Sequence, residues 1–357
     1  MPFQELNAAE YPLDFKHPPH SLWHDVIRAE SDAARALGEA GWRSLARESA
    51  RHTPLGEAQA ARLARMAAHP FAWLYRCTGG RHLPEVEAWA RGLQWPVQRL
   101  LMLQCLYELS HLGAPARRLG CSSGIVQLAD GRPAHVRCLD WNLPEIAGAT
   151  RLFHCRTRRG HEAKIVGLVG QVGALSAMVP GGYSVTLNWA PPASLPVFLL
   201  GPLFALRELV DTCAHFHEAV NFLKARRFAS SVFFTVCGVQ SGEGCVVECV
   251  KPGLFSDQLR QVRTLEAEPL VQTNHYHHPE HERFNPTRDP SRLSMLEATS
   301  RARAATLLDA LRALPARPSL DQLGACLARP PVENDETCQK MVFIPATGEM
   351  RVWVGRR

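Results

Sequence analysis

The chain has 357 residues, of which 46% are hydrophobic and 21% charged, and carries a formal net charge of +6. That balance is ordinary for a soluble globular protein, and the length is enough for one large core or two smaller ones. The positive charge contains no run of five like residues, which argues against a nucleic-acid partner. The 11 cysteines are odd in number and scattered, which argues against a disulfide framework and for a reducing compartment.

The start, Met1-Pro2-Phe3-Gln4-Glu5, has neither the basic end nor the apolar stretch of a secretory signal. The longest apolar run, Leu195–Leu206, is interrupted by Pro196, Gly201 and Pro202 and is too short to span a bilayer. These features predict a cytoplasmic protein with no transmembrane segment. Residues 1–20 are proline-rich and predicted to be extended. Leu22, Val26, Ile27, Ala34, Leu37, Trp42 and Leu45 recur at helical spacing, so a helix is predicted over 21–50, with Ser21 as its cap. Further helices are predicted over 57–68, over 84–93 and, beyond Pro96, over 97–112. The first 115 residues therefore read as all-helical. A short basic stretch, Ala114–Gly120, leads into a different kind of sequence.

From Cys121 onward strands dominate. Ile125–Leu128, the turn at Asp130-Gly131 and His135–Trp141 together predict a β-hairpin. Strands are expected over 151–157, 164–168, 174–179 and 183–188, then helices over 203–213 and 216–226. Strands follow over 231–239 and 245–250, where Cys245 and Cys249 face one side as buried thiols. After a His-rich loop at 274–281, a long helix is predicted over 291–314 and a shorter one over 320–327. Strands at 341–344 and 350–354 close the chain. Hairpins flanking a central helical pair predict an α+β fold with two packed antiparallel sheets and helices outside.

The hairpin returns Arg137 and Asp140 toward the start of its first strand, where Cys121 sits. A cysteine, an arginine and an aspartate at one hairpin end make a candidate site for a nucleophile with a charged holder, because a fixed cation favours the thiolate. The competing readings are a surface strand arginine and a turn-capping carboxylate.

Cys121-Ser122-Ser123, with Arg137-Cys138-Leu139-Asp140-Trp141 placing Arg and Asp 16 and 19 positions after the Cys, resembles the start of the catalytic chain in cysteine N-terminal-nucleophile (Ntn) hydrolases. The similar groups are the choloylglycine hydrolases, the acid ceramidase and N-acylethanolamine acid amidase group, and isopenicillin N acyltransferase. Ala205–Val210, His217–Val220, Gly244–Glu248 and Gln272-Thr273-Asn274-His275 continue the likeness, which covers residues 85–357 loosely outside the motifs.

The resemblance implies a four-layer αββα fold preceded by a helical segment. It implies self-cleavage between Gly120 and Cys121, leaving 1–120 as a helical subunit bound non-covalently to the catalytic segment 121–357. The freed α-amine would act as general base for its own thiol. Arg137 would lie near the sulfur, Asp140 would hold the amine, and Asn188 and Asn274 would supply oxyanion donors. Arg292 would anchor the active-site network, with an ion-pair partner at a helix N-terminus as the competing reading. Trp141, Tyr183, Trp189 and His275 are the candidate substrate contacts, and Pro191, Pro192, Leu195 and Phe198 would help shape an acyl pocket beside Trp189. The implied reaction is hydrolysis of a small N-acyl amide, a lipid-like one among the candidates, with no cofactor. Acyl transfer to an amine or thiol is the alternative. The apolar runs at 97–112 and 195–206 read either as a lipid groove or as plain core. The spacing in the His-rich loop matches no zinc template, so no metal is expected. A non-catalytic binding protein on the same fold and a metal enzyme built on that loop are the remaining classes. An oligomer is compatible with all of them.

Overall fold

The computed structural model describes residues 3–51, 56–77, 80–112, 119–197, 199–286 and 298–355. Two sheets face each other. The first has six strands: β1 (Phe3–Glu5), β3 (Leu119–Gln127), β4 (Pro133–Trp141), β12 (Leu270–Gln272), β13 (Thr337–Ile344) and β14 (Glu349–Gly355), in the order β1-β14-β13-β4-β3-β12. The second has eight strands: β2 (Glu10–Asp14), β5 (Thr150–Arg156), β6 (Glu162–Leu168), β7 (Ser176–Val179), β8 (Tyr183–Trp189), β9 (Val232–Cys237), β10 (Gly244–Val250) and β11 (Leu259–Thr264), in the order β11-β10-β9-β8-β7-β6-β5-β2.

Helices cover both outer faces, which gives the four-layer αββα arrangement. Helices Ser300–Arg312 and Leu320–Ala325 lie on the six-stranded sheet, where Leu307, Leu311 and Leu323 pack on Val126, Val136 and Val342. Each such side chain contributes about 1.5–3 kcal/mol on leaving water. Helices Pro202–Thr212 and Phe216–Ala225, with the N-terminal helices, share a core with the eight-stranded sheet. Trp23, for instance, packs edge-on against Phe153 of β5.

Two expectations need correction. The N-terminal segment is not all-helical: β1 pairs with β14 in one sheet, and β2 pairs with β5 in the other. The β2–β5 pair is parallel, so the second sheet is mixed rather than purely antiparallel. Both strands are edge strands, where pairing supplies the order that three to five residues cannot generate alone. Among the helices, Glu57–Cys77 runs through Pro70 instead of ending before it. The 97–112 helix breaks at Cys105 into Val97–Gln104, Leu106–Leu109 and a 3₁₀ turn, Ser110–Leu112.

Candidate active site

Cys121 lies inside β3, two positions past the start of its pairing with β4. Gly120 faces Asp140, Cys121 faces Leu139 and Ser123 faces Arg137 across the ladder. Alternation along the strands sorts the side chains into two layers. Cys121, Ser123 and Arg137 point between the sheets. Ser122, Cys138 and Asp140 point the other way, to the helix Ser300–Arg312 and the 3₁₀ turn Cys326–Ala328, so Cys138 faces away from Arg137 as its place in the strand predicts.

Arg137 is completely buried, which excludes the surface reading. Its Nη1 donates to Leu175 O and Ser176 Oγ, both at 2.6 Å. Its Nη2 donates to Leu187 O at 2.8 Å and reaches Cys121 Sγ at 3.3 Å. The guanidinium is thus bolted to the second sheet and aimed at the sulfur. Burial nonetheless pushes the Cys121 thiol above its ordinary value, and Arg137 opposes that shift without overturning it.

Asp140 is equally buried. Its Oδ1 accepts from Thr337 Oγ1 at 2.7 Å. Its Oδ2 sits 3.8 Å from Arg303 Nη1 and accepts no hydrogen bond among the described residues. Burial raises the Asp140 pKa, and Arg303 works against the rise.

Asn274 is beside Cys121, in an unexpected orientation. Its Oδ1 accepts from the Cys121 backbone N–H at 3.0 Å and from Arg303 Nη2 at 2.8 Å, and two donors require the oxygen at that place. Its Nδ2 donates to Trp189 O at 2.8 Å. In this uncut chain Asn274 therefore holds the Cys121 nitrogen rather than offering a donor to an oxyanion. Asn188 is committed elsewhere: its Oδ1 accepts from Ser123 Oγ at 2.7 Å and its Nδ2 donates to Gln272 O at 2.9 Å. Through these bonds it braces the two sheets.

The candidate substrate contacts scatter. Trp141 is half-buried just past Asp140 and stands between two cavities. One, of about 290 Å³, is lined by Asn142, Thr337 and Cys338, and the other by Leu37, Leu103 and Leu143. Trp189 is buried, with its Nε1 donating to Ser110 Oγ at 2.9 Å. Tyr183 lies at the far end of β8 from Leu187, its hydroxyl donating to Cys213 O at 3.1 Å, so it is not brought to Cys121. His275 is buried with its Nδ1 2.8 Å from Ser300 Oγ, and burial lowers its pKa to about 4. Arg292 and Phe198 lie outside the described residues, as does 113–118 of the stretch before the nucleophile. The His-rich loop is pinned by Glu248, which accepts from the backbone N–H groups of His277 and His278 and pairs with His281 Nδ1. Among the described residues no three of His, Cys, Asp and Glu converge as a metal site would require.

Sequence reasoning missed Arg303. Its Nη1 donates to Cys121 O at 2.8 Å and Ser122 Oγ at 3.0 Å, while Nη2 donates to Asn274. It is fully buried on a helix face with Ala304, Leu307 and Ala310. An arginine on an otherwise apolar stripe was the available signal.

The chain matches no family model. It is 21% identical over 339 residues to the acid ceramidase of Bos taurus, covering 85% of this chain and 79% of that one. It is 23% identical over 264 residues to the acid ceramidase of Rattus norvegicus, covering 66% and 62%. With the N-acylethanolamine-hydrolyzing acid amidase of Caenorhabditis elegans it shares 23% identity over 257 residues, 66% of each chain. The solved structure of the Caenorhabditis elegans N-acylethanolamine-hydrolyzing acid amidase ortholog superposes with a TM-score of 0.50 at 19% identity, covering 66% of this chain and all of that one. The superposition shows the fold.

Proposed function

We propose that this chain, which belongs to the acid ceramidase-like superfamily of Ntn hydrolases, is a self-processing cysteine amidohydrolase acting on an N-acyl amide. The observation that carries the reading is the approach of Arg137 Nη2 to Cys121 Sγ at 3.3 Å, on a strand whose Cys121 nitrogen is already held at 3.0 Å by Asn274. A nucleophile and its future base are thereby fixed in one place before any cut.

In the first stage the Cys121 thiol attacks the Gly120 carbonyl, and the peptide acyl group moves from nitrogen to sulfur. Water then hydrolyses the thioester, leaving a carboxylate on Gly120 and a free α-amine on Cys121. An α-amine has a pKa near about 8, so at neutral pH it can take the thiol proton. It also carries more N–H bonds than the amide it replaces. Asn274 Oδ1 accepts one, and Oδ2 of Asp140, paired with Arg303 and across the ladder from Gly120, is the candidate for another. In the second stage the sulfur attacks the acyl carbonyl of the substrate. The proton passes to the departing amine, an acyl thioester forms on Cys121, and water releases the acid. Residues 1–120 remain bound throughout, because their strands and helices complete both sheets.

The test is the intact mass of the denatured protein beside Cys121→Ala, followed by a panel of ceramides and N-acylethanolamines. The expected result is two pieces split between residues 120 and 121 in the wild type, one piece in the variant, and free fatty acid only from the wild type. An uncut wild type that releases no acid would sink the reading.

A further inference from the structure

The helical turn Leu106–Leu109 does more than support the strand end at Trp189. Tyr107 points one way, its hydroxyl donating to Ser231 O at 2.9 Å. Glu108 points another way, into a separate cavity of about 120 Å³. Tyr75, Leu109, Val197, Leu199 and Phe204 wall that cavity with hydrocarbon and ring surface. Leu199 is 44% exposed at its mouth. An apolar cavity of roughly 150 Å³ is large enough to take up benzene. This cavity is somewhat smaller but open at Leu199, so it would accept a short alkyl group, or a ring that extends through the mouth.

Glu108 does not belong in such a wall. Among the described residues no Lys, Arg or His pairs with its half-buried carboxyl. A carboxylate set in a hydrocarbon wall with no cation beside it favours a ligand that brings its own positive charge. We propose that the cavity at Glu108 is a binding site for a small hydrophobic amine, whose apolar part fills the cavity and whose ammonium pairs with the Glu108 carboxylate.

Nearby groups leave the charge requirement unmet. Tyr75, Cys105 and Tyr107 are the other titratable groups near the carboxyl, and burial raises all three, so none supplies a positive charge. His82 stacks on Phe204 but directs its Nδ1 to Glu85. Burial pushes the Glu108 pKa up to about 7, so in acid the site loses the charge that would select an amine. At Gly201 a side chain would intrude on the same carboxyl, since a Cβ there would lie 2.2 Å from Glu108 Oε1. The absence of a side chain keeps that side open.

The experiment is isothermal titration of the full chain with benzylamine and with benzyl alcohol, at pH 8 and pH 5.5. It needs no turnover, so its outcome is independent of whether the chain hydrolyses amides. At pH 8 benzylamine is expected to bind the wild type about tenfold tighter than benzyl alcohol, and the preference should shrink at pH 5.5. Glu108→Gln should abolish the preference while keeping alcohol binding. Ala229→Leu, which fills the cavity and leaves the carboxyl in place, should lose both ligands. Equal binding of the two probes to wild type at pH 8, binding of neither, or full amine affinity in Glu108→Gln or Ala229→Leu would overturn the proposal. If a variant fails to fold, the wild-type comparison at the two pH values still decides.

Discussion

At the scale of single residues, three side chains were legible because one hairpin sets their geometry. Counting along β3 and β4 was enough to bring Arg137 and Asp140 back to Cys121, and the ladder does so. Residues whose place depends on distant elements were not legible. Asn188 looked like a donor for an oxyanion, but the opposing sheet claims both ends of its amide. Arg303 comes from a helix 182 positions away and binds Cys121 O, Ser122 Oγ and Asn274 Oδ1 together. That geometry yields a prediction. Arg303→Ala strands the buried Asp140 and should cost about 3–5 kcal/mol in urea unfolding. Arg303→Lys keeps the charge but cannot serve three acceptors at fixed angles, so it should fold better than the alanine variant and still process slowly. Equal processing by lysine and arginine would mean that charge alone matters. A second prediction concerns Cys121 before cutting. Its thiol pKa is raised, so below that pKa the thiolate fraction climbs about tenfold per pH unit. Alkylation of the uncut chain by iodoacetamide, followed by mass, should be slow at pH 7 and rise steeply toward pH 9. A flat profile would contradict a buried neutral thiol.

At the scale of elements, long periodic helices and strands with strong flanking turns were readable. The short edge strands β1 and β2 were not, because their order comes from pairing rather than from their own pattern. The contact between β3 and the helix Ser300–Arg312 was equally invisible, yet it decides where Arg303 sits. Gly124 makes that contact possible: a Cβ there would meet Leu311 Cδ1 at 2.7 Å. Gly124→Val should therefore lift the helix and carry Arg303 away from Cys121, although residue 124 touches no reacting atom. Overpacking of this kind costs about 1–3 kcal/mol. Pairing it with Leu311→Ala should restore room, so the double variant should be more stable than the summed single effects by about 1 kcal/mol or more. Strict additivity in denaturant unfolding would show that the helix does not rest on Gly124.

At the scale of the whole molecule, the proposed cut would free residues 1–120 covalently, yet several charged junctions tie them to the rest, three of them at least partly buried. Arg151 grips Glu30 through two nitrogens at 2.6 Å, Arg81 meets Glu208 at 3.0 Å, and Arg207 faces Glu85 at 3.8 Å while lying over the Phe15 ring. The last is the deepest. Burial alone would raise the Glu85 pKa, but Arg207, His82 and a hydrogen bond from Trp23 Nε1 outweigh it and hold the group at about 2. The sign follows from linkage: a carboxylate with a depressed folded pKa contributes stability that is complete above its ordinary value and lost as pH falls toward 2. The two pieces should therefore stay together in size-exclusion chromatography from neutral pH down to mildly acidic buffer, separating only under strong acid or denaturant. Glu85→Ala removes the partner and leaves the Arg207 guanidinium buried among apolar groups. This should cost about 3–5 kcal/mol and let the pieces separate at neutral pH. Glu85→Gln keeps the acceptor for Trp23 but not the charge, so it should fall between the two. If the cleaved Glu85→Ala protein still eluted as one species at the wild-type pH limit, the edge strands β1 and β2, not this buried pair, would be what holds the halves together.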